Sequence, residues 1–209
     1  VSLSAEKSKL LAAAFQMPSV QTMVSRKSSI TNAFVNSLIP VIAPSLDEID
    51  EALGILEMTP DDVRCVYCGD RSTEWDHLRP LVLQLRPTGY ISEIGNLVPA
   101  CGKCNQSKGN KPWRTWMKGT AKRSPAQRNV AELGLKMARL ERYERWKSIV
   151  PVDFEKIVAP DLWQGYWKEY DQLIEAMKAS QRLADELKSQ IRAGHDRITA
   201  AGKSVASAG

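Results

Sequence analysis

The chain has four cysteines, and they fall as two tight pairs: Cys65 and Cys68 in "CVYC", Cys101 and Cys104 in "CGKC". Nothing else in the sequence constrains the fold as much. Two thiols separated by two residues make half of a tetrahedral ion site, and two such pairs complete it. Redox use of C-x-x-C needs a single pair beside a βαβ pattern, which is absent. Disulfides do not suit this spacing in a chain read as intracellular. The four cysteines therefore predict a structural Zn²⁺ site. The 32 residues between the pairs exceed the gap of a simple ribbon, so they must carry structure of their own. A core of about sixty residues is marginal by itself, and a bound metal would make up the deficit.

Charge points to the same segment. From Arg64 to Arg123 there are eleven Lys or Arg against four Asp or Glu, a local +7 in a chain of net charge +5. A basic middle between near-neutral flanks suggests a polyanion footprint. No apolar run is long enough to span a membrane. The start, "VSLSAEKSKLLAAAFQ", lacks a basic n-region and a clear cleavage site, which predicts an intracellular protein.

Between the cysteine pairs, "GDRS" reads as a turn and "TEWDHLRPLVLQL" as a strand with Asp76-His77 near its beginning. "RPTGY" reads as loop, "NLVPA" as a short strand, and "CNQSK" as the opening of a helix. An Asp-His pair alone fits a solvated turn or a core histidine equally well. Here it sits inside a strand, loop, strand and helix framed by zinc knuckles.

Taken in order, C-x2-C, D-H-x-x-P, N-L-x-x-x-C-x-x-C-N-x-x-K-G over residues 62–112 resembles the HNH nuclease family, also called ββα-metal. The resemblance implies a metal-dependent endonuclease acting on double-stranded DNA. It implies that His77 is the general base and that Asp76 and Asn105 hold a catalytic Mg²⁺ or Mn²⁺, for which hard oxygen ligands are suited. Asp76, next along the strand, points to the opposite face from His77 unless a local twist brings it to the metal. Asn96 resembles the middle residue of the family motif, which ties down the loop and orients the base. Asn105 departs from the His that many members carry at that place, which weakens a case for catalytic zinc or nickel. Lys108, Lys111 and Arg114 are expected on DNA phosphates, and Trp113 and Trp116 as core anchors.

The expected fold class is α+β, mostly helical: a helical N-terminal region (1–60), the HNH module with its four-cysteine zinc site (61–120), and a helical C-terminal region with a frayed tail (121–209). Ser45 and Glu48 predict a capping box, with Leu46, Ile49, Leu53 and Leu56 as one apolar stripe. "SRKSS" reads as loop. Ser124 reads as the N-cap of a helix carrying Val130, Leu133, Met137, Leu140 and Tyr143. A longer helix should start near Pro160, with a stripe from Trp163 to Ile191 that packs either on the N-terminal helices or on a second subunit. His195 is expected to be inert.

The size of the flanks suggests a cytoplasmic restriction-type enzyme, prokaryotic or phage-encoded. Cutting both strands at one site would call for a homodimer. A phage or genome-maintenance nuclease, an RNA-acting nuclease and a non-catalytic zinc-ribbon binder are the alternatives. A pure binder has no need to keep Asp76, His77 and Asn105 together.

Overall fold

The computed structural model describes residues 4–15 and 17–206. Its helices are α1 (Ala5–Ala14), α2 (Lys27–Leu38), α3 (Leu46–Ile55), α4 (Gly102–Lys108), α5 (Trp113–Lys118), α6 (Leu133–Trp146), α7 (Phe154–Ile157) and α8 (Pro160–Ala206). The strands are β1 (Glu74–His77), β2 (Val82–Leu83), β3 (Arg86–Pro87) and β4 (Leu97–Ala100). No helix among the described residues is long and apolar enough to cross a membrane.

The chain divides into two compact units. The first holds the described residues up to Lys27 and those from Asp171 on. In it, Ser4 caps α1 by accepting from Lys7 N at 3.3 Å, and Met23 N donates to Gln181 Oε1 at 2.6 Å. Leu183, Leu187 and Ile191 of the expected stripe are exposed, as is His195. The helix continues to Ala206, and the last three residues of the expected frayed tail lie outside the described residues.

The second unit, Ser28–Tyr170, contains the HNH-like segment. β1 pairs antiparallel with β4 in the register Glu74↔Ala100, Trp75↔Pro99, Asp76↔Val98 and His77↔Leu97. The strand expected over 73–85 ends at His77. Pro80, which has no N–H to give a ladder, follows closely. The chain re-pairs as a small β2–β3 hairpin whose two turn residues, Gln84 and Leu85, sit at φ 50° and 64°. Arg86 and Pro87, read as loop, form its second strand.

α3 begins on the expected capping box, with Glu48 N on Ser45 Oγ at 3.2 Å and Ser45 N on Glu48 Oε2 at 2.9 Å. It ends in a Schellman motif: Met58 N donates to Leu53 O and Glu57 N to Gly54 O, with Glu57 at φ 54°. The carboxylate of Glu57 then pairs with Arg139 and Arg142 of α6. Ala52, Leu53 and Leu56 are buried, but Leu46 is exposed because it precedes the turn that meets the core.

Two other boundaries differ from expectation. "SRKSS" lies in a 3-10 turn over Met23–Arg26 and the first turn of α2. Ser124 caps no helix: it is buried, donates to Gly119 O at 2.7 Å and accepts from Gln127 N at 3.3 Å. Asn129 and Glu132, at φ 50° and 55°, interrupt the turns after it, and α6 starts only at Leu133.

One core joins α3, the β1–β4 ribbon, the cysteine knuckles, α5 and α6 through Leu56, Tyr67, Val98, Trp116, Leu140 and Tyr143. Trp113 and Trp116 are core anchors, as expected. A second aromatic cluster holds α2 to the start of α8. Phe34 meets Tyr166 and Tyr170 at ring distances of 5.3 and 5.2 Å, and Thr31 Oγ1 and Tyr170 OH share a hydrogen bond of 2.7 Å. Tyr170, in the aromatic start of the stripe, thus packs on a helix of its own chain, the first of the two placements expected for that stripe.

Candidate active site and metal centre

The four cysteine side chains converge. Their sulfurs all lie within 4.8 Å of one another, and Cys68 Sγ is 3.7 Å from Cys101 Sγ. A tetrahedral Zn–S centre with bonds of about 2.3 Å puts its sulfurs about 3.8 Å apart, so the cage fits that ion. The first knuckle is shaped by Gly69 at φ 80°, which lets Cys65 N reach Asp70 O while Gly69 N returns to Cys65 O, both at 2.8 Å. The second is the start of α4, where Cys104 N and Asn105 N both donate to Cys101 O at 3.0 Å. Hydrogen bonds from Cys104 and Cys68 pull the Cys65 thiol down to about 4, while the same crowding pushes Cys104 up. Four sulfurs this close can all be thiolates only if a cation shares them. Arg128 stands beside them, with Nη1 on Cys104 Sγ at 3.3 Å and Nη2 on Asp70 Oδ2 at 3.0 Å.

The four-cysteine cage shares its elements with a second site. β1 leads from the first knuckle to Asp76-His77, and α4 carries Cys104 and Asn105 side by side. Asp76, His77 and Asn105 line one cleft of about 450 Å³. The short strand ends at His77, so both members of the Asp-His pair reach the same cleft despite their alternation.

Each is held by partners that the sequence did not announce. The Asp76 carboxylate is buried and accepts from Tyr67 OH at 2.6 Å and from Lys108 Nζ at 3.2 Å. Burial pushes its pKa up, and the charge of Lys108 opposes that. His77 Nε2 lies 2.8 Å from Ser92 Oγ. Burial and the nearby Lys108 charge hold the imidazole down to about 4, so it is neutral at ordinary pH. Ser92 is itself fixed from the N-terminal flank: its N–H donates to Pro40 O at 3.1 Å, and its carbonyl accepts from Ile42 N at 2.9 Å. Asn105 Nδ2 donates to Glu74 Oε2 at 2.5 Å. A carboxylate can only accept, so the amide nitrogen must face it and Oδ1 remains as the acceptor.

Asn96 is fully buried in the turn just before β4. Its Oδ1 accepts from Arg79 N at 2.8 Å, and its Nδ2 donates to Arg79 O and Ile91 O, both at 3.2 Å. One side chain thus closes the loop between β1 and β4. Asn96→Ala would leave those three backbone groups without partners, which should cost roughly 3 kcal/mol of stability. Urea denaturation reads this directly, and an unchanged midpoint and slope would refute the bridging role.

The expected DNA contacts are rearranged. Lys108 is fully buried beneath the site, with Nζ 3.1 Å from Asp76 Oδ2 and 2.7 Å from His77 O. It supports the Asp-His pair from behind, where no phosphate can reach it. Arg114 is half exposed but pairs with Glu144 at 2.5 Å and Glu141 at 3.6 Å, and lies over Trp113. Lys111 is exposed and also caps α4, with Nζ on Ser107 O at 3.0 Å.

With this geometry in view, residues 65–111 match the model of the HNH endonuclease family. This segment is an HNH domain. The chain is 31% identical over 137 residues to a CRISPR-associated endonuclease Cas9 of Corynebacterium diphtheriae, a stretch that covers 61% of this chain and 11% of that protein. It is 33% identical over 92 residues to a CRISPR-associated endonuclease Cas9 of Actinomyces naeslundii, covering 42% of this chain and 7% of that one. The chain thus spans a small part of the length of these relatives. No solved structure matches it. The HNH match begins at Cys65 and ends at Lys111, so α2 and residues 40–42, which reach the site, lie outside it.

Proposed function

We propose that this chain is a metal-dependent HNH nuclease module that hydrolyses phosphodiester bonds in double-stranded DNA. The observation that carries the reading is a neutral histidine, a carboxylate and an amide oxygen donor on one cleft. In the tautomer that carries its proton on Nε2, which then donates to Ser92 Oγ, the Nδ1 lone pair of His77 takes a proton from water. Asp76 and Asn105 offer hard oxygen ligands that fit Mg²⁺ or Mn²⁺. Such an ion, when bound, offsets charge on the phosphate and the leaving oxygen. Lys108 and Tyr67 hold Asp76 in place, Glu74 turns the Asn105 amide, and Asn96 keeps the loop from Arg79 to Ile91 closed behind the base. The cysteines hold a structural Zn²⁺ that fixes β1 and α4 together. Lys111 is the best placed of the expected cations for a backbone phosphate.

The names of the two relatives support endonucleolytic cleavage. They lend nothing to the restriction-type setting inferred from the flanks. One base and one cleavage-metal site attack one strand at a time. Supercoiled plasmid incubated with Mg²⁺ or Mn²⁺ should therefore pass to nicked circles before any linear product forms, and EDTA should stop the reaction. Intact plasmid with both metals, or cleavage that survives EDTA, would refute the reading. A parallel incubation with labelled RNA separates an RNA-acting nuclease from this one.

A further inference from the structure

The wall of the cleft opposite the HNH elements comes from α2, outside the family match. Asn32 and Asn36, four residues apart, present their side chains on one face of this helix and line the cleft that holds Asp76 and His77. The buried residues of α2, Thr31 and Val35, with Ile39 just beyond it, lie on another face and belong to the core. Both asparagines are exposed, and neither amide is engaged among the described residues. The helix itself is fixed. Its aromatic contacts tie it to the start of α8, and the segment that follows it is pinned by Ser92 through Pro40 and Ile42. An exposed polar face is thus held against the cleft with no partner among the described residues.

The chemistry of the lining says what it would bind. Among the described residues, the cleft lining has no Lys or Arg. Its amides are Asn32 and Asn36 from α2, with Gln106 and Asn110 from the HNH elements, while the Asn105 Nδ2 is taken by Glu74. An amide NH2 donates to phosphate and sugar oxygens without displacing a counterion, so it positions a nucleic-acid strand while adding nothing to salt dependence. We propose that Asn32 and Asn36 form a backbone-binding subsite. They hold the sugar-phosphate chain of duplex DNA beside the scissile phosphate and press the strand toward His77. This rests on the nuclease reading above and adds a positioning role for a helix that the HNH match does not include.

The test uses the full chain and a fluorescein-labelled DNA duplex. Binding is measured in a His77→Ala background, cleavage kinetics with His77 intact. Asn32→Ala with Asn36→Ala should raise Kd and KM together by roughly tenfold, as expected for two neutral hydrogen bonds. The loss should fall on KM rather than kcat. The slope of log K against log salt should stay unchanged, because no charge is removed. An unchanged melting temperature would show that the fold is intact, as the exposure of both side chains leads one to expect. Wild-type Kd and KM in the double variant, with the parent protein active, would overturn the α2 subsite alone. A salt slope that flattens by a full contact would overturn the neutral-donor account. If the parent neither binds nor cuts DNA, the nuclease reading falls and takes the subsite with it.

Discussion

His77→Ala should lower the rate of DNA cleavage by about 10²–10⁴-fold, the usual contribution of a positioned general base. The effect should fall on kcat, with DNA affinity and zinc content retained. Three features of the site support this. The imidazole is neutral at ordinary pH because burial and the Lys108 charge disfavour its protonated form. Ser92 Oγ, 2.8 Å from Nε2, sets the ring so that one nitrogen is free for water. The ring lines the same cleft as Asp76 and Asn105, the two groups suited to a divalent cation. Plasmid nicking under single-turnover conditions measures the loss. A variant that cuts at the parent rate would remove His77 from the chemistry and leave the cleft without a base.

Stripping metal from the four-cysteine cage, or replacing Cys65 or Cys104 by Ser, should unfold the central module. Structural zinc supplies roughly 10–16 kcal/mol in finger-like peptides, more than the net stability of most domains. The dependence is strong here because the cage is part of the core. Cys65, Cys101 and Cys104 are buried beside Tyr67, Ala100 and Trp116, and β1 and α4 meet through the two knuckles. Losing the ion would leave several crowded thiols that cannot all ionise, and would release Asn105, which directly follows Cys104. Far-ultraviolet circular dichroism during chelation should show loss of structure, and elemental analysis should find one zinc per chain. An active, folded protein with no bound zinc would refute both the ion and its role.

The ββα plan and the four-cysteine cage were legible from residue type and spacing. Two C-x2-C pairs and the D-H, N-L and C-N-x-x-K-G groups are local in sequence, and the metal and hydrogen-bond chemistry they imply does not depend on the rest of the chain. The α3 capping box was legible for the same reason, since an N-cap is satisfied within four residues. The strand expected over 73–85 was not. It is divided after His77, and its second part pairs across a two-residue turn at Gln84–Leu85, a pair without the Asn-Gly or Asp-Gly signal that marks such turns. The false start at Ser124 has a similar cause. Its hydroxyl bonds to Gly119 and Gln127, and left-handed Asn129 and Glu132 delay α6 to Leu133.

The electrostatics of the site were decided by tertiary structure alone. A lysine in K-G reads as a surface cation from sequence, yet Lys108 lies under the Asp-His pair because α4 crosses β1 there and the carboxylate can pair with it. Arg114 loses its availability to Glu141 and Glu144, acids far along the chain on α6. Tyr67, Ser92 and Glu74 carry no pattern of their own. They become partners of Asp76, His77 and Asn105 only when the ribbon, the knuckle and the segment after α2 come together. Spacing in sequence can name the candidate atoms for the chemistry. Which groups hold those atoms, and which charges remain free to meet a substrate, depends on contacts between residues distant in the chain, and only the packed molecule sets them.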